Sequence, residues 1–197
     1  MQTAVRRPPL EIRTVAIIGA GVAGRSFALA CAAAGYQVVL EDVMPANLRR
    51  AEADFAEMEL RDSPGSLDFA LTVEQAVREA DIAVDFVPDE LESKLEIFSM
   101  IDRMAPPKTI LCTPSNALSI SDLASCVYRP ERCFAVRGDL VDGSSVKPTV
   151  RLLYPASADV QALGATDRFL RLLGREVVRE PDPDVPVLMK NLARIVG

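Results

Sequence analysis

The chain has 197 residues, a formal net charge of −6, no histidine and 49% hydrophobic residues. That length fits one ordinary domain, or one domain with an appendage, and the apolar content supplies a full core without disulfide or metal staples. The acidic balance, with a pI of about 4.8, argues against nucleic acid or an anionic membrane as partner, and no segment is long and apolar enough to span a bilayer.

Residues 1–12 include Arg6, Arg7, Pro8 and Pro9 with no apolar run behind them, and read as a loose tail, not a signal peptide. Residues 13–180 are expected to form the domain, and 181–197 a Pro-rich linker with a short apolar helix. Residues 15–18 read as a buried strand, 21–34 as an apolar helix and 38–41 as a second strand. Between the first two, Gly19, Gly21 and Gly24 stand at the G-x-G-x-x-G spacing of a dinucleotide-binding turn. Gly19 permits a tight turn, Gly21 lets backbone approach a pyrophosphate, and Gly24 lets the helix pack on the strand. Asp42 follows the second strand, 18 residues after Gly24, where a carboxylate accepts the ribose hydroxyls. An acid there favours NAD over NADP because it repels a 2′-phosphate, and helical phase is expected to carry Arg49 and Arg50 away from the ribose. Arg25 reads equally as a pyrophosphate contact and as a solvated first-turn arginine.

A polar amphipathic helix is expected over 45–59 with proline in its first turn, then a loop over 61–68 around Ser63-Pro64-Gly65-Ser66. A short strand over 69–71 leads to a helix over 73–80 capped by Thr72. Residues 82–87 read as a strand, 91–103 as a helix, 109–112 as a strand and 119–124 as a short helix. Strands over 134–136 and 150–153 flank a polar loop, and a helix over 160–173 ends at Gly174 before a last strand at 177–178. This alternation predicts an α/β, Rossmann-type, doubly wound and mostly parallel sheet with helices on both faces, plus a short C-terminal helical tail. Cys31, Cys112, Cys126 and Cys133 show no C-x-x-C spacing, and Cys31 and Cys112, within apolar elements, read as buried small hydrophobes of a reducing cytoplasm. With no histidine and no paired thiols, no metal site is expected.

The pattern resembles the NAD-binding domain of the 3-hydroxyacyl-CoA dehydrogenases, over residues 14 to about 178. The glycine turn, Leu40-Glu41-Asp42, residues 80–94, residues 105–111, Leu118-Ser119-Ile120 and Arg129-Pro130-Glu131-Arg132 carry the likeness. The resemblance implies NAD contacts from Gly19, Gly21, Val22, Ala23, Gly24 and Asp42. On the nicotinamide side it implies contacts from Val87, Pro88, Asp89, Lys94 and Asn116. Asp89 replaces a usual Glu and reaches less far.

The catalytic positions depart from that family, which uses a His to take the substrate's hydroxyl proton, a Glu to orient it, and an Asn and a Ser to polarise the carbonyl. By the resemblance the His position is Arg137, the Glu position Arg151, the Asn position Leu140 and the Ser position Asn116. A guanidinium keeps its proton at neutral pH and cannot act as that base. The two arginines read either as a clamp for an anionic or carrier-linked small substrate or as solvated edge residues, the latter if Asp139 and Asp142 pair with them. Asp85 reads as a strand-end carboxylate, or as a surrogate base if burial raises its pKa. In the family, a helical domain that closes the substrate cleft and supplies the dimer interface follows the last strand. Here only residues 187–196 stand there, expected to dock on the chain's own sheet or on a second copy, with a homodimer the favoured reading. The expected function is an NAD-binding oxidoreductase-like protein that moves hydride to or from a hydroxy/keto acyl-type substrate by a non-inherited acid–base group. The alternative is a non-catalytic NAD-binding accessory or sensor protein.

Overall fold

The computed structural model of the protein describes residues 10–58, 65–140 and 147–182. In chain order the elements are β1 Thr14–Ile18, α1 Val22–Ala33, β2 Gln37–Glu41, α2 Pro45–Ala56, β3 Ser66–Ala70, α3 Val73–Val77, β4 Ile82–Asp85 and α4 Leu91–Met104. They continue with β5 Ile110–Pro114, α5 Ile120–Ala124, a 3-10 turn at Pro130–Arg132, β6 Cys133–Arg137, β7 Thr149–Tyr154, α6 Val160–Leu172 and β8 Glu176–Pro181.

These strands form one sheet in the order β3-β2-β1-β4-β5-β6-β7-β8. Every neighbouring pair is parallel except β6 with β7. Side chains alternate between the two faces of each strand, so a sheet covered on both sides needs nearly continuous apolar runs. One face of β1, β2 and β4 contributes Ile17, Val38, Leu40 and Val84 to a core shared with Phe27 of α1, Leu48 of α2 and Phe169 of α6. The other contributes Ala16, Ile18 and Ala83 to a core shared with Val77 of α3, Phe98 of α4 and Leu123 of α5. Phe27 meets Phe169 edge-on with ring centroids 6.2 Å apart.

Local signals explain the helix starts. The Gln75 amide donates to Thr72 Oγ1, the Asp122 amide to Ser119 Oγ and the Ala162 amide to Asp159 Oδ1. Gly174 ends α6 with a φ of 82°, as a left-handed cap requires. The sequence expectation differs from the fold in several places. β3 begins at Ser66, inside the expected loop, because the Gly65 amide donates to Ala32 O at 2.9 Å and Ser66 N to Tyr36 O at 3.1 Å, stitching the segment to the sheet edge. Helix α3 stops at Val77, and β8 runs six residues instead of two. Ile12, expected in the loose tail, is buried in the core. The apolar segment 187–196 and the first nine residues lie outside the described residues, as does Asp142.

The carboxyl ends of β1, β2, β4, β5 and β6 face the same edge of the sheet. There the strand order reverses between β1 and β4, which opens the crevice where ligands of such sheets bind.

Candidate functional site

The glycine turn sits at that reversal. Gly19 has a φ of +99°, in the region that favours glycine, and a Cβ there would press on Phe86 O at 3.3 Å. A Cβ on Gly24 would lie 1.9 Å from Gly19 O, so glycine is what lets α1 rise directly off the turn. Gly21 is different. Its φ of −62° and ψ of −176° suit any residue, and nothing lies within 4 Å of where its Cβ would stand. Packing does not require glycine there, and the approach to its backbone is open. Helix α1 starts with no side-chain cap and no acidic residue in its first turn, which leaves the Val22, Ala23 and Gly24 amides available to an anion. Arg25 pairs with Asp54 of α2 at 2.8 Å, which ties it to the neighbouring helix.

Asp42 is brought to the same place by β2. Its Oδ2 accepts from Ala20 N at 2.8 Å and from Asn47 Nδ2 at 3.0 Å, and its Oδ1 accepts from Met44 N at 2.7 Å. The carboxylate therefore clamps the glycine turn to the start of α2. With three of about four lone-pair sites filled, one on Oδ1 stays available to a further donor. Glu41 points to the opposite face and is also buried, and burial together with the Asp42 charge pushes its pKa up to about 7.

On the other half of the crevice, the loops after β4, β5 and β6 are tied in series. Asp89 Oδ2 accepts from Asn116 N at 3.1 Å, and Asn116 Oδ1 accepts from Gly138 N at 3.2 Å. Pro88, Asp89 and Asn116 are exposed and Val87 is half-buried, so these four border the open groove. Lys94, expected among the contacts, lies beneath them. Its ammonium donates to Asp85 Oδ1 at 2.7 Å, and both side chains are essentially sealed from solvent. Burial raises the Asp85 pKa, opposed by the Lys94 charge. The Thr113 hydroxyl and the Val87 amide face the same carboxyl group, yet Asp85 Oδ2 and Thr113 Oγ1 complete no hydrogen bond. As a surrogate base Asp85 would have to reach out of the protein interior, which this position does not allow.

Arg137 and Arg151 come together. They are direct register partners across β6 and β7, and they share the sheet face that carries Ala135 and Leu153. Arg137 donates to Leu118 O at 3.4 Å, and its buried Nε has no hydrogen-bond partner among the described residues. Arg151 lies 3.6 Å from Glu180 of β8. Among the described residues neither arginine is paired with Asp139. Leu140, at the position where the resemblance places an Asn, turns into the core. Cys31 and Cys112 are buried free thiols, as expected; Cys133 is buried too, and Cys126 is exposed. Among the described residues no cluster of acids, cysteines or histidines could hold a metal ion, and no helix is long and apolar enough to cross a membrane.

Sequence reasoning missed the buried Asp85–Lys94 pair and the contact of Glu180 with Arg151. The first joins a strand end to a helix and leaves no trace in periodicity. The second depends on β8 lying beside β7, which two visible strand residues could not specify.

Comparison with known proteins gives the following. The sequence profile described as 3-hydroxyacyl-CoA dehydrogenase, NAD binding domain, matches residues 14–182. A probable 3-hydroxybutyryl-CoA dehydrogenase of Bacillus subtilis is 31% identical over 136 residues, covering 62% of this chain and 47% of that protein. A 5-formyl-3-hydroxy-2-methylpyridine 4-carboxylate 5-dehydrogenase of Mesorhizobium japonicum is 30% identical over 192 residues, covering 91% of this chain and 60% of that protein. The crystal structure of a 3-hydroxyacyl-CoA dehydrogenase of Archaeoglobus fulgidus superposes with a TM-score of 0.72 at 28% identity, over 94% of this chain and 62% of that one. The chain thus spans about half to three fifths of these two curated relatives.

Proposed function

The chain belongs to the family of the 3-hydroxyacyl-CoA dehydrogenase NAD-binding domain, a family of NAD-dependent oxidoreductases, and from this we propose that it presents NAD to an anionic hydroxy/keto acyl-type substrate held at Arg137 and Arg151. The substrate is free or carrier-linked. The observation that carries the reading is Gly21, which leaves open the space over the first amides of α1 although a side chain there would touch nothing in the protein.

Bound NAD supplies the hydride acceptor, or the donor when reduced. The chain's own residues supply the rest. Amides at Val22, Ala23 and Gly24 take the pyrophosphate, and Asp42 takes the adenosine ribose while holding the turn in shape. Val87, Pro88, Asp89 and Asn116 border the nicotinamide half, with Lys94 supporting the loop from below by neutralising Asp85. Arg137 and Arg151 bind and orient; they do not carry the proton, because a guanidinium stays charged. The proton is moved by a group other than the inherited dyad. A second copy of the chain, meeting the first through residues 187–196, is part of the same proposal. The buried, unpaired thiols support a reducing compartment, the cytoplasm.

One observation favours a second reading, a non-catalytic NAD-binding accessory or sensor: at the two dyad positions stand permanent cations, and Asp85 is closed off by Lys94. Stopped-flow absorbance of NADH with acetoacetyl thioesters and free keto acids decides between them. Oxidation of NADH is the expected result. Raised melting temperature with NAD but no oxidation by any of these substrates would establish the second reading, and no thermal shift would overturn both.

A further inference from the structure

We infer that the Arg137–Arg151 pair is a carboxylate subsite with Glu180 as its built-in place-holder, selecting small free 3-keto or 3-hydroxy acids over their thioesters. This rests on the proposed function for its setting beside the nicotinamide, not for its binding chemistry.

Arg129, Arg171 and Arg179 show what a satisfied guanidinium looks like here. Arg129 meets Asp102 at 2.8 Å, and Arg171 and Arg179 share Asp167 at 2.9 and 3.0 Å. Arg137 has no carboxylate among the described residues, and its Nε is buried without a partner. Like charges placed directly opposite on one face of an antiparallel pair oppose folding. An anion between Arg137 and Arg151 reverses that penalty, and two planar forks match a planar carboxylate.

Glu180 supplies a provisional anion. Among the described residues it reaches only Arg151, at 3.6 Å, and the two side chains are 39% and 53% exposed. So loose and solvated a contact is worth little and yields to a better-placed carboxylate. Location decides the ligand class. Both arginines stand at the crevice edge of the sheet, with Gly138 beside Arg137 bonded to Asn116. A charge held there belongs to the small, reacting part of the substrate. In a coenzyme A thioester that part is neutral, and the phosphates lie far along the carrier. A free acid carries its carboxylate two bonds from the keto carbon that accepts hydride.

The test titrates the full chain, with and without NADH, by isothermal calorimetry against acetoacetate, methyl acetoacetate, acetoacetyl-CoA and inorganic phosphate. Acetoacetate should bind at least about tenfold more tightly than its neutral ester, in line with one charge-assisted hydrogen-bonded pair. Arg137→Lys and Arg151→Lys keep the charge but lose the fork, and each should weaken acetoacetate about tenfold or more. Glu180→Gln should tighten it several-fold by removing the competitor. Equal affinity for acid and ester, a tighter thioester, or no gain in the Glu180→Gln protein would overturn the inference. Phosphate binding as tightly as acetoacetate would also overturn it, as a general oxyanion site. If NADH fails to bind while acetoacetate still answers to the arginines, the proposed function falls and the subsite stands.

Discussion

Changing Gly21 to alanine separates what the cofactor needs from what the protein needs. The backbone there already has angles that alanine adopts, and the new methyl would meet nothing within 4 Å. Restricting the unfolded chain is worth about 0.4–1 kcal/mol, offset by roughly 0.5–1 kcal/mol for alanine in place of glycine at the helix N-cap, so the apoprotein should change by less than about 1 kcal/mol. NAD binding should suffer far more, because the methyl occupies the space through which the pyrophosphate reaches the amides of Val22 and Ala23. Losing one or two charge-assisted hydrogen bonds at about 1.5–3 kcal/mol each gives roughly 2–5 kcal/mol, or about 30-fold to several thousand-fold in Kd. The assay is thermal unfolding with NAD at a hundred times the parent's Kd. The parent should gain about 2.7 kcal/mol, which at about 2–4 °C per kcal/mol is roughly 5–10 °C. The variant should gain no more than about 0.8 kcal/mol at the same concentration. An alanine variant that binds NAD within threefold of the parent would refute the reasoning. So would one whose apoprotein loses more than about 2 kcal/mol, since glycine would then serve the fold.

Gly24→Ala should do the opposite: its methyl would stand 1.9 Å from Gly19 O, so helix and turn must part, costing about 1–3 kcal/mol in urea unfolding without NAD. An unchanged midpoint would contradict the packing. Lys94→Met leaves the buried Asp85 without its cation and should cost about 3–5 kcal/mol at pH 7, while adding Asp85→Asn should recover much of it. Asp85, already held above the usual carboxylate range by burial, then rises further. The folded variant keeps a proton that the unfolded chain releases, so its stability should increase from pH 7 to pH 5, by at most about 1.4 kcal/mol per unit; a flat profile counts against this. Glu41 follows the same sign. With its pKa lifted from 4.5 to about 7, the stability linked to it is complete below about pH 4.5 and is lost as pH rises through 7. Glu41→Gln should flatten the stability curve between pH 5 and 7, and an unaltered slope would show that another group governs it.

The β1–α1–β2 unit was legible because each of its parts carries a local cause: an apolar run buried on both faces, glycines that the turn requires, and an acid at a fixed distance. Boundaries there agree within a residue of Thr14–Ile18 and Gln37–Glu41. Edge strands were harder. β3 and β8 face solvent on one side, so their residues mix polar and apolar, and the Ser-Pro-Gly-Ser punctuation hid the start at Ser66. The Arg137–Arg151 juxtaposition could be placed only through the resemblance, and the antiparallel register of β6 and β7 sets the two side by side. Nothing local foretold that Lys94 would turn inward. A lysine on an amphipathic helix ordinarily points its charge to water, and only the depth of Asp85 at the end of β4 explains its direction.

The most direct measurement is a calorimetric titration of the full chain with NAD and, separately, with NADP. The account predicts a single saturable NAD site, with NADP at least about tenfold weaker because the Asp42 carboxylate repels a 2′-phosphate. Absence of binding heat and thermal shift with NAD, or tighter binding of NADP, would contradict it.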